Sequence, residues 1–433
     1  MGLLKDLWGS ALVVEHGLEQ DLHEDLANLH ELVALKFETG LGKPQLLLPL
    51  FHHLREHHPI LILPHLAIVS RYANVVEVLE RQDVFSVSEI YLDKMVETTG
   101  PFPLGMQDGP QYAREMGQMR SAIHAGDLDA IRADGIRNSN ELIDAVLPSG
   151  SLDLVGGLTR IVPARLVAGY FGVPGPDENM LMRWMRSIFR HIFLNLGNDA
   201  KIKEAADISS KELQAYLQKL VSDRKQAIVA GTQVPDDFVT RLVQLQLNGP
   251  DGPDDDTIRR EIGGTIVGAV DTISKAATQA IDVLLDRQAE LAAARAAATA
   301  GDDALVARYV FEALRFNPQN PFLLRHCRQD YVAARGTDHE RVIPAGSLVL
   351  VGTLSAMFDG TKVDSPEEFR IDRPDDTYNF FGHGLHTCFG QHISRVLIPV
   401  IAQAVLSLPN LRRAGNIQWD GAFPNRFMVA FDA

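Results

Sequence analysis

Residues 381–390, Phe-Gly-His-Gly-Leu-His-Thr-Cys-Phe-Gly, constrain this chain more than any other stretch. Glycines at 382, 384 and 390 surround one cysteine, Cys388, and a helical pattern begins directly after it. Glycine permits positive φ and close backbone approach, so Gly382, Gly384 and Gly390 suit a loop lying flat against a planar ligand. A cysteine among backbone N–H groups near a helix N-terminus is favoured as thiolate, the form that ligates metal. A lone cysteine is otherwise most often a small buried hydrophobe. Three patterned glycines, with His386 two residues before the sulfur, tip the balance toward a ligand.

Composition narrows the class. Of 433 residues, 46% are hydrophobic and 22% charged, the profile of a globular protein with a large core. The 41 basic and 56 acidic residues give a formal charge of −15, which disfavours phosphate binding over the whole surface and so a nucleic-acid partner. Cys327 and Cys388 are the two cysteines, so neither a disulfide framework nor an iron–sulfur cluster is expected. The start of the chain lacks the basic residues and sustained apolar run of a signal peptide, and no uninterrupted run reaches the ~18 apolar residues of a spanning helix. A cytoplasmic protein without a transmembrane anchor is expected. Trp8 with its leucine neighbours could form a weak interfacial helix, although packing onto the body is the favoured reading.

Along the chain no repeat or long linker appears, and residues 1–433 read as one domain, mainly helical with a minor β region. The first 40 residues read as an amphipathic helical extension. Residues 60–70 suggest a β-pair turning at Pro64, Asn74 to Gln82 a helix, and Phe85 to Met106 a loop. Helical periodicity then dominates from Gln111 to about Leu285, with an acidic run at 249–256 suited to the N-terminal dipole of a long helix from Thr257 to Leu285. Glycines 263, 264 and 268 in that helix each cost about 1 kcal/mol relative to alanine. Either a flat ligand against that face or close helix packing would explain them. Further helices are expected over 290–299, 304–316 and 390–408, strands over 340–352, irregular chain over 366–385, and a hairpin in the last 20 residues.

The segment around Cys388 resembles the ligand loop of the cytochrome P450 superfamily, Phe-Gly-x-Gly-x-His-x-Cys-x-Gly, at every specified position. The resemblance implies the cytochrome P450 fold around haem b, with Cys388 as the iron ligand whose electron donation favours O–O cleavage. It further implies that His386 bonds a haem propionate, that Phe381 shields the sulfur, and that Gly382 and Gly390 lie in the cofactor-binding loop. Glu312 and Arg315 resemble the family's Glu-x-x-Arg pair, and Arg373 is similar to the arginine completing that structural network. Arg325, in Arg-His-Cys-Arg-Gln-Asp, resembles a propionate partner, and Cys327 takes a small apolar position there. Gly268-Ala-Val-Asp-Thr272 resembles the oxygen-binding helix, which implies proton relay by Asp271 and an oxygen-bound water network at Thr272. One departure stands out. Where the family commonly has His-x-x-x-Arg, this chain has Tyr112 and Met116. Tyr112 can still donate a hydrogen bond to the cofactor, Met116 cannot replace an arginine, and Arg120 or Arg114 is the available substitute.

The implied function is monooxygenation of an apolar small molecule by O2, with electrons from a separate donor of the ferredoxin and reductase type. No dinucleotide fingerprint or flavin domain is present to supply them internally. Peroxide-dependent oxidation or hydroperoxide rearrangement on the same scaffold is the alternative, and a non-catalytic haem sensor a third. The substrate pocket is expected from 85–107, 183–199, the 264–273 helix face, Pro321 to Leu324 and the tip near Phe423–Pro424. Arg186, Arg190 and His191 read either as carboxylate anchors at its entrance or as solvated surface, the second being favoured.

Overall fold

The computed structural model describes residues 47–433; the helix expected over the first 40 residues lies outside this range. Helix α1 (Leu48–His57) leads into the antiparallel pair β1 (Ile60–Leu63) and β2 (Leu66–Val69), with Pro64 in the turn as its sequence suggests. Helix α2 (Tyr72–Glu80), strand β3 (Phe85–Ser86) and helix α3 (Ser88–Glu97) follow. The stretch 85–106 is thus not loop throughout. Among the residues of α3 only Met95 is buried, so the helix lacks the strong apolar stripe that periodicity detects.

Next come α4 (Pro110–Ser121), α5 (Asp127–Val146), β4 (Ser151–Asp153), α6 (Ile161–Gly169), α7 (Glu178–Phe189), α8 (Ala200–Val229) and α9 (Phe238–Leu247). Carboxylates start several of these helices. Asp177 and Asp237 accept from the backbone N–H three residues on, each cap contributing ~1 kcal/mol. Asp254 does the same for α10 (Asp255–Val267), whose first turn carries Asp255 and Asp256, as the acidic run predicts.

The long helix expected from Thr257 to Leu285 is two helices. Gly268 and Ala269 form a turn between α10 and α11 (Val270–Leu285), and the Thr272 hydroxyl donates to the Gly268 carbonyl across it. Glycine weakens the helix at that point, and the hydroxyl takes up a carbonyl that the break releases. Helices α12 (Gln288–Ala300) and α13 (Asp303–Phe316) complete the helical body.

The β region follows with β5 (Leu323–Cys327), β6 (Tyr331–Ala333), β7 (Arg341–Ile343) and β8 (Leu348–Val351), then a one-turn helix α14 (Thr353–Ala356). A five-stranded sheet has the order β1-β2-β8-β5-β3, in which β2 and β8 are parallel and Arg325 lies opposite Val349. Cys327 is fully buried in the apolar cluster beside this sheet, which bears out its reading as a core thiol. Residues 366–385 are irregular apart from two short turns of 3-10 helix, and α15 (Gln391–Leu406) begins just past Cys388. Strand β9 (Arg412–Arg413) precedes the hairpin of β10 (Gln418–Asp420) and β11 (Phe423–Arg426). The expected C-terminal hairpin is only part of the story, because β12 (Met428–Ala430) leaves it to pair with β4 and β9.

The main core is one apolar cluster in which α11, α13 and α15 meet. Helix α15 crosses α5 at Gly135, where a Cβ would lie 2.7 Å from Leu397 Cδ1. That close crossing compensates for a glycine inside a helix. Among the described residues no helix is long and apolar enough to cross a membrane.

A buried ionic knot ties α13 to the irregular segment before the Cys388 loop. Glu312 and Arg315 are both 0% exposed and paired at 2.8 Å. The same carboxylate accepts from Arg373 Nε at 3.1 Å, from the Tyr378 hydroxyl at 3.1 Å and from the Arg370 backbone N–H at 3.0 Å. Arg315 in turn donates to the carbonyls of Met357, Pro366 and Glu368. The spacing of Glu312 and Arg315 on one helix face therefore has a structural use far beyond a surface pair.

A second buried carboxyl is arranged oppositely. Glu261 of α10 is 0% exposed and neither of its oxygens has a hydrogen-bond partner. Burial, with Glu115 nearby and only partly offset by Arg260, pushes its pKa up to about 8.

Replacing Glu312 by glutamine leaves two buried arginines without their anion and should destabilise the fold by about 3–5 kcal/mol, read by denaturant unfolding. A neutral effect would show that the knot is dispensable. For Glu261 the sign is reversed. Folded Glu261 keeps its proton to about pH 8, whereas an unfolded glutamate loses it near pH ~4.3, so stability falls as pH rises through that window. Glu261→Gln should match the parent near pH 5 and become progressively more stable than it toward pH 8 and above. A difference independent of pH would contradict a proton-holding carboxyl there.

Candidate active site

A cavity of about 300 Å³ is bounded by α3, the end of α7 with the wide turn Arg190–Leu194, the junction of α10 and α11, strand β5, and the Cys388 loop with the start of α15. Its lining is mostly phenylalanine, leucine, isoleucine, valine and methionine. The expected stretches 85–107, 264–273 and 321–324 all contribute, and 183–199 contributes Phe189 and residues 192–194. The hairpin tip does not. Phe423 stands behind the wall, edge-on to Phe189 with centroids 5.5 Å apart.

The loop is built as its glycines suggest at two positions. Gly382 and Gly384 have φ of +73° and +72°, and a Cβ on Gly384 would lie 2.7 Å from the Leu79 carbonyl oxygen. Gly390 is different: its φ is −84°, and it serves as N-cap of α15. The Cys388 N–H donates to the Phe381 carbonyl at 2.8 Å, fixing the sulfur's position, and both residues line the cavity. Burial raises the Cys388 thiol pKa, with the Gly390 N–H acting in the opposite direction. The N–H at the helix start favours the thiolate, as the sequence suggests, but burial outweighs it. A metal cation in front of the sulfur would supply the missing charge.

Arg325 and His386 meet at the same cavity. Arg325, on β5, is buried, and its guanidinium bonds only the Leu324 carbonyl, at 2.9 Å; burial lowers its pKa to about 10. Neither ring nitrogen of His386 has a partner, and burial together with the Arg325 charge lowers the imidazole pKa to about 4. No aspartate or glutamate is among the described lining residues. A buried cation and two unused imidazole nitrogens facing an apolar cavity lack an anion. Together with the cysteine and the flat loop, they fit a planar metal-bearing group that carries carboxylates, as haem does.

Helix α4 contributes differently. The Tyr112 hydroxyl donates to the Leu385 carbonyl at 2.9 Å, and its ring stands edge-on to His386 at 6.1 Å. Tyr112 thus braces the loop with the proton that the resemblance would give to the cofactor. Met116 is buried in an apolar patch with Met106 and Tyr112. Arg114 and Arg120 are both exposed, and Arg120 alone is close enough for its charge to be felt at the Tyr112 hydroxyl.

The two residues of the oxygen-helix pattern separate. Thr272 lines the cavity, beside the space opened by Gly268, where a Cβ would meet nothing nearer than 3.9 Å. Gly264 has the other explanation, since a Cβ there would lie 2.3 Å from the Phe102 ring. Asp271 is 2% exposed and absent from the lining. Its Oδ1 meets Arg186 Nη2 at 2.7 Å and Arg160 Nε at 3.2 Å, while Oδ2 has no partner. Arg186 and Arg190 also reach Asp420 of the β10–β11 hairpin, each at 3.3 Å. His191 is buried and bonds Glu97 and Asn195. Arg186 and His191 are therefore not solvated surface, while Arg190 is partly exposed. Arg160 and Asp420, which complete the Asp271 cluster, carry no local sequence signal, because their partners lie more than a hundred residues away.

The family model for cytochrome P450 matches residues 178–408. The chain is 26% identical to the cyclomarin C epoxidase CymV of Salinispora arenicola, over 81% of this chain and 86% of that protein. It is 30% identical to the cytochrome P-450 monooxygenase DoxA of Streptomyces sp. strain C5, over 73% of this chain and 75% of that protein. The crystal structure of CalO2 superposes with a TM-score of 0.76 at 23% identity, covering 88% of this chain and 95% of that one. The relatives are named as monooxygenases, hydroxylases and epoxidases, and the fold agrees with that of the solved structure. The chain belongs to the cytochrome P450 family and is a monooxygenase, for which the family's cofactor is haem with a thiolate on its iron.

Proposed function

We propose that Cys388 is the iron ligand of a haem b seated in the described cavity, and that the protein inserts one atom of O2 into an apolar small molecule. The observation that carries this is the cavity itself: an apolar chamber with one cysteine, one buried arginine and one unpartnered histidine, and no carboxylate among its described lining residues. Haem bound there supplies the iron at which oxygen is activated.

The protein's own groups do the rest. Arg325 and His386 hold the cofactor's carboxylates, and Tyr112 keeps the loop in register through Leu385. Phe381 and Gly382 position the loop backbone, and Gly390 starts the helix behind it. Thr272 presents a hydroxyl whose lone pairs can hold a water beside Gly268, its proton being donated to the Gly268 carbonyl. Asp271 is the acid nearest in sequence to that water, and its unpartnered oxygen can take up a proton from solvent once Arg186 swings aside. Insertion of one oxygen atom into a C–H bond consumes O2, two electrons and two protons and releases one water. An electron donor is therefore required, and we propose a separate one of the ferredoxin and reductase type, with the whole chain acting as one catalytic domain. Insertion into a C–H bond and epoxidation of a double bond both suit an apolar cavity of this kind.

Peroxide-driven oxidation is the second reading, and the position of Asp271 favours it. A carboxylate held by two arginines away from the cavity is poorly placed to deliver protons, and a peroxide brings its own.

Thr272→Ala should uncouple reductant use from product by roughly tenfold in an assay with O2 and an electron donor. Asp271→Asn should slow the same turnover by ~100-fold while sparing turnover driven by added peroxide. If both variants behave as the parent with O2, and peroxide alone gives full activity, the peroxide reading replaces the first.

A further inference from the structure

Tyr91 of α3 is the one phenol among the described residues of the cavity wall, and none of them uses its hydroxyl. The ring packs on Phe193 with centroids 5.3 Å apart, which fixes its plane. Its neighbours on the wall, Val87, Met95, Phe102 and Leu104, are apolar. Among the described residues no group bonds the hydroxyl; the charge of Arg325 is the one polar influence that reaches it. Tyr91 is half-buried on that wall, and leaving its hydroxyl without a partner beneath a bound apolar molecule would cost about 1–3 kcal/mol. A phenylalanine would fill the same space without that cost.

Resting on the reading of this chamber as the substrate cavity, we infer that Tyr91 donates a hydrogen bond to a carbonyl oxygen of the substrate. The substrate class is then an apolar skeleton bearing a ketone, ester or lactone. Three features select a carbonyl over other groups. The hydroxyl's proton has no acceptor in the protein. The positive field of Arg325 favours an oxygen carrying partial negative charge. No aspartate or glutamate among the described lining residues is present to receive an amine. A single bond to one end of an otherwise apolar molecule fixes its orientation, and hence which carbon faces the reactive centre.

A competing acceptor is a carboxylate of the cofactor, since Arg325 serves that group in the proposed arrangement. The test separates the two. Cyclododecanone and cyclododecane, one ring with and one without a carbonyl, are titrated into the haem-loaded parent and Tyr91→Phe proteins while the Soret shift is followed. Haem transfer to apomyoglobin is timed in parallel. The expected result is a five- to tenfold weaker affinity of the variant for the ketone, unchanged affinity for the hydrocarbon, and unchanged haem transfer. Equal affinities of both proteins for the ketone would overturn the inference. Faster haem loss from the variant with ketone binding intact would assign the hydroxyl to the cofactor instead. Failure of either ring to bind the parent protein would remove the substrate cavity itself, and this inference with it.

Discussion

The Glu312 carboxylate is the interaction on which the site depends. It lies in the dry interior and accepts from two guanidinium groups, a phenol and a backbone N–H. Those donors come from α13 and from residues 370–378, the irregular chain that leads directly into the Cys388 loop. Irregular chain has no ladder of its own to hold it, so its position must be imposed by side chains. Arg315 and Arg373 do this twice over, each bonding the carboxylate and several backbone carbonyls of residues 364–368, just before that segment. Buried ion pairs often add little net stability, but a fully bonded one selects a single arrangement of the chain it gathers. Here that arrangement sets where the sulfur sits.

The cavity inverts this logic. Its polar groups are incomplete: a buried arginine without a carboxylate, a histidine with two idle nitrogens, and a phenol without an acceptor. Each would be a defect in a sealed core. Collected around one apolar chamber, they describe by complement what enters it: an anionic, metal-bearing plane at the Arg325 and His386 side, and a carbonyl-bearing apolar molecule at Tyr91. Asp271 belongs to neither set. Its carboxylate joins α11 to α7, to the segment before α6, and through Arg186 to Asp420 of the C-terminal hairpin. The acid beside Thr272 is thereby linked through one ion pair to α7, whose end bounds the cavity.

Much of this was legible in the chain of residues, and the limits have physical causes. The Cys388 loop could be read because its chemistry is local: turns needing positive φ must be glycine, and they stand within a few residues of the ligand. Glu312 and Arg315 were legible as a pair for the same reason, and Arg373 only through resemblance. Helix α3 reads as loop because only Met95 of its residues is buried in the core, which leaves no strong apolar stripe. The break at Gly268 was hidden inside a strong helical period, since a two-residue turn barely shifts the pattern. Tyr91 and the partners of Asp271 were illegible because their meaning lies in contacts between distant elements. At Cys388 the local rule is incomplete, because the helix-start N–H acts as the sequence suggests while burial, which depends on distant elements, acts against it.

The most direct measurement is the difference spectrum of the dithionite-reduced protein with carbon monoxide, recorded for the parent and for Cys388→Ser. A Soret band shifted far to the red in the parent, and lost in the variant, is the expected result, because a thiolate opposite the gas produces it. A parent band at the position typical of histidine- or thiol-ligated haem, or a red-shifted band that survives loss of Cys388, would contradict the assignment of that sulfur to the iron.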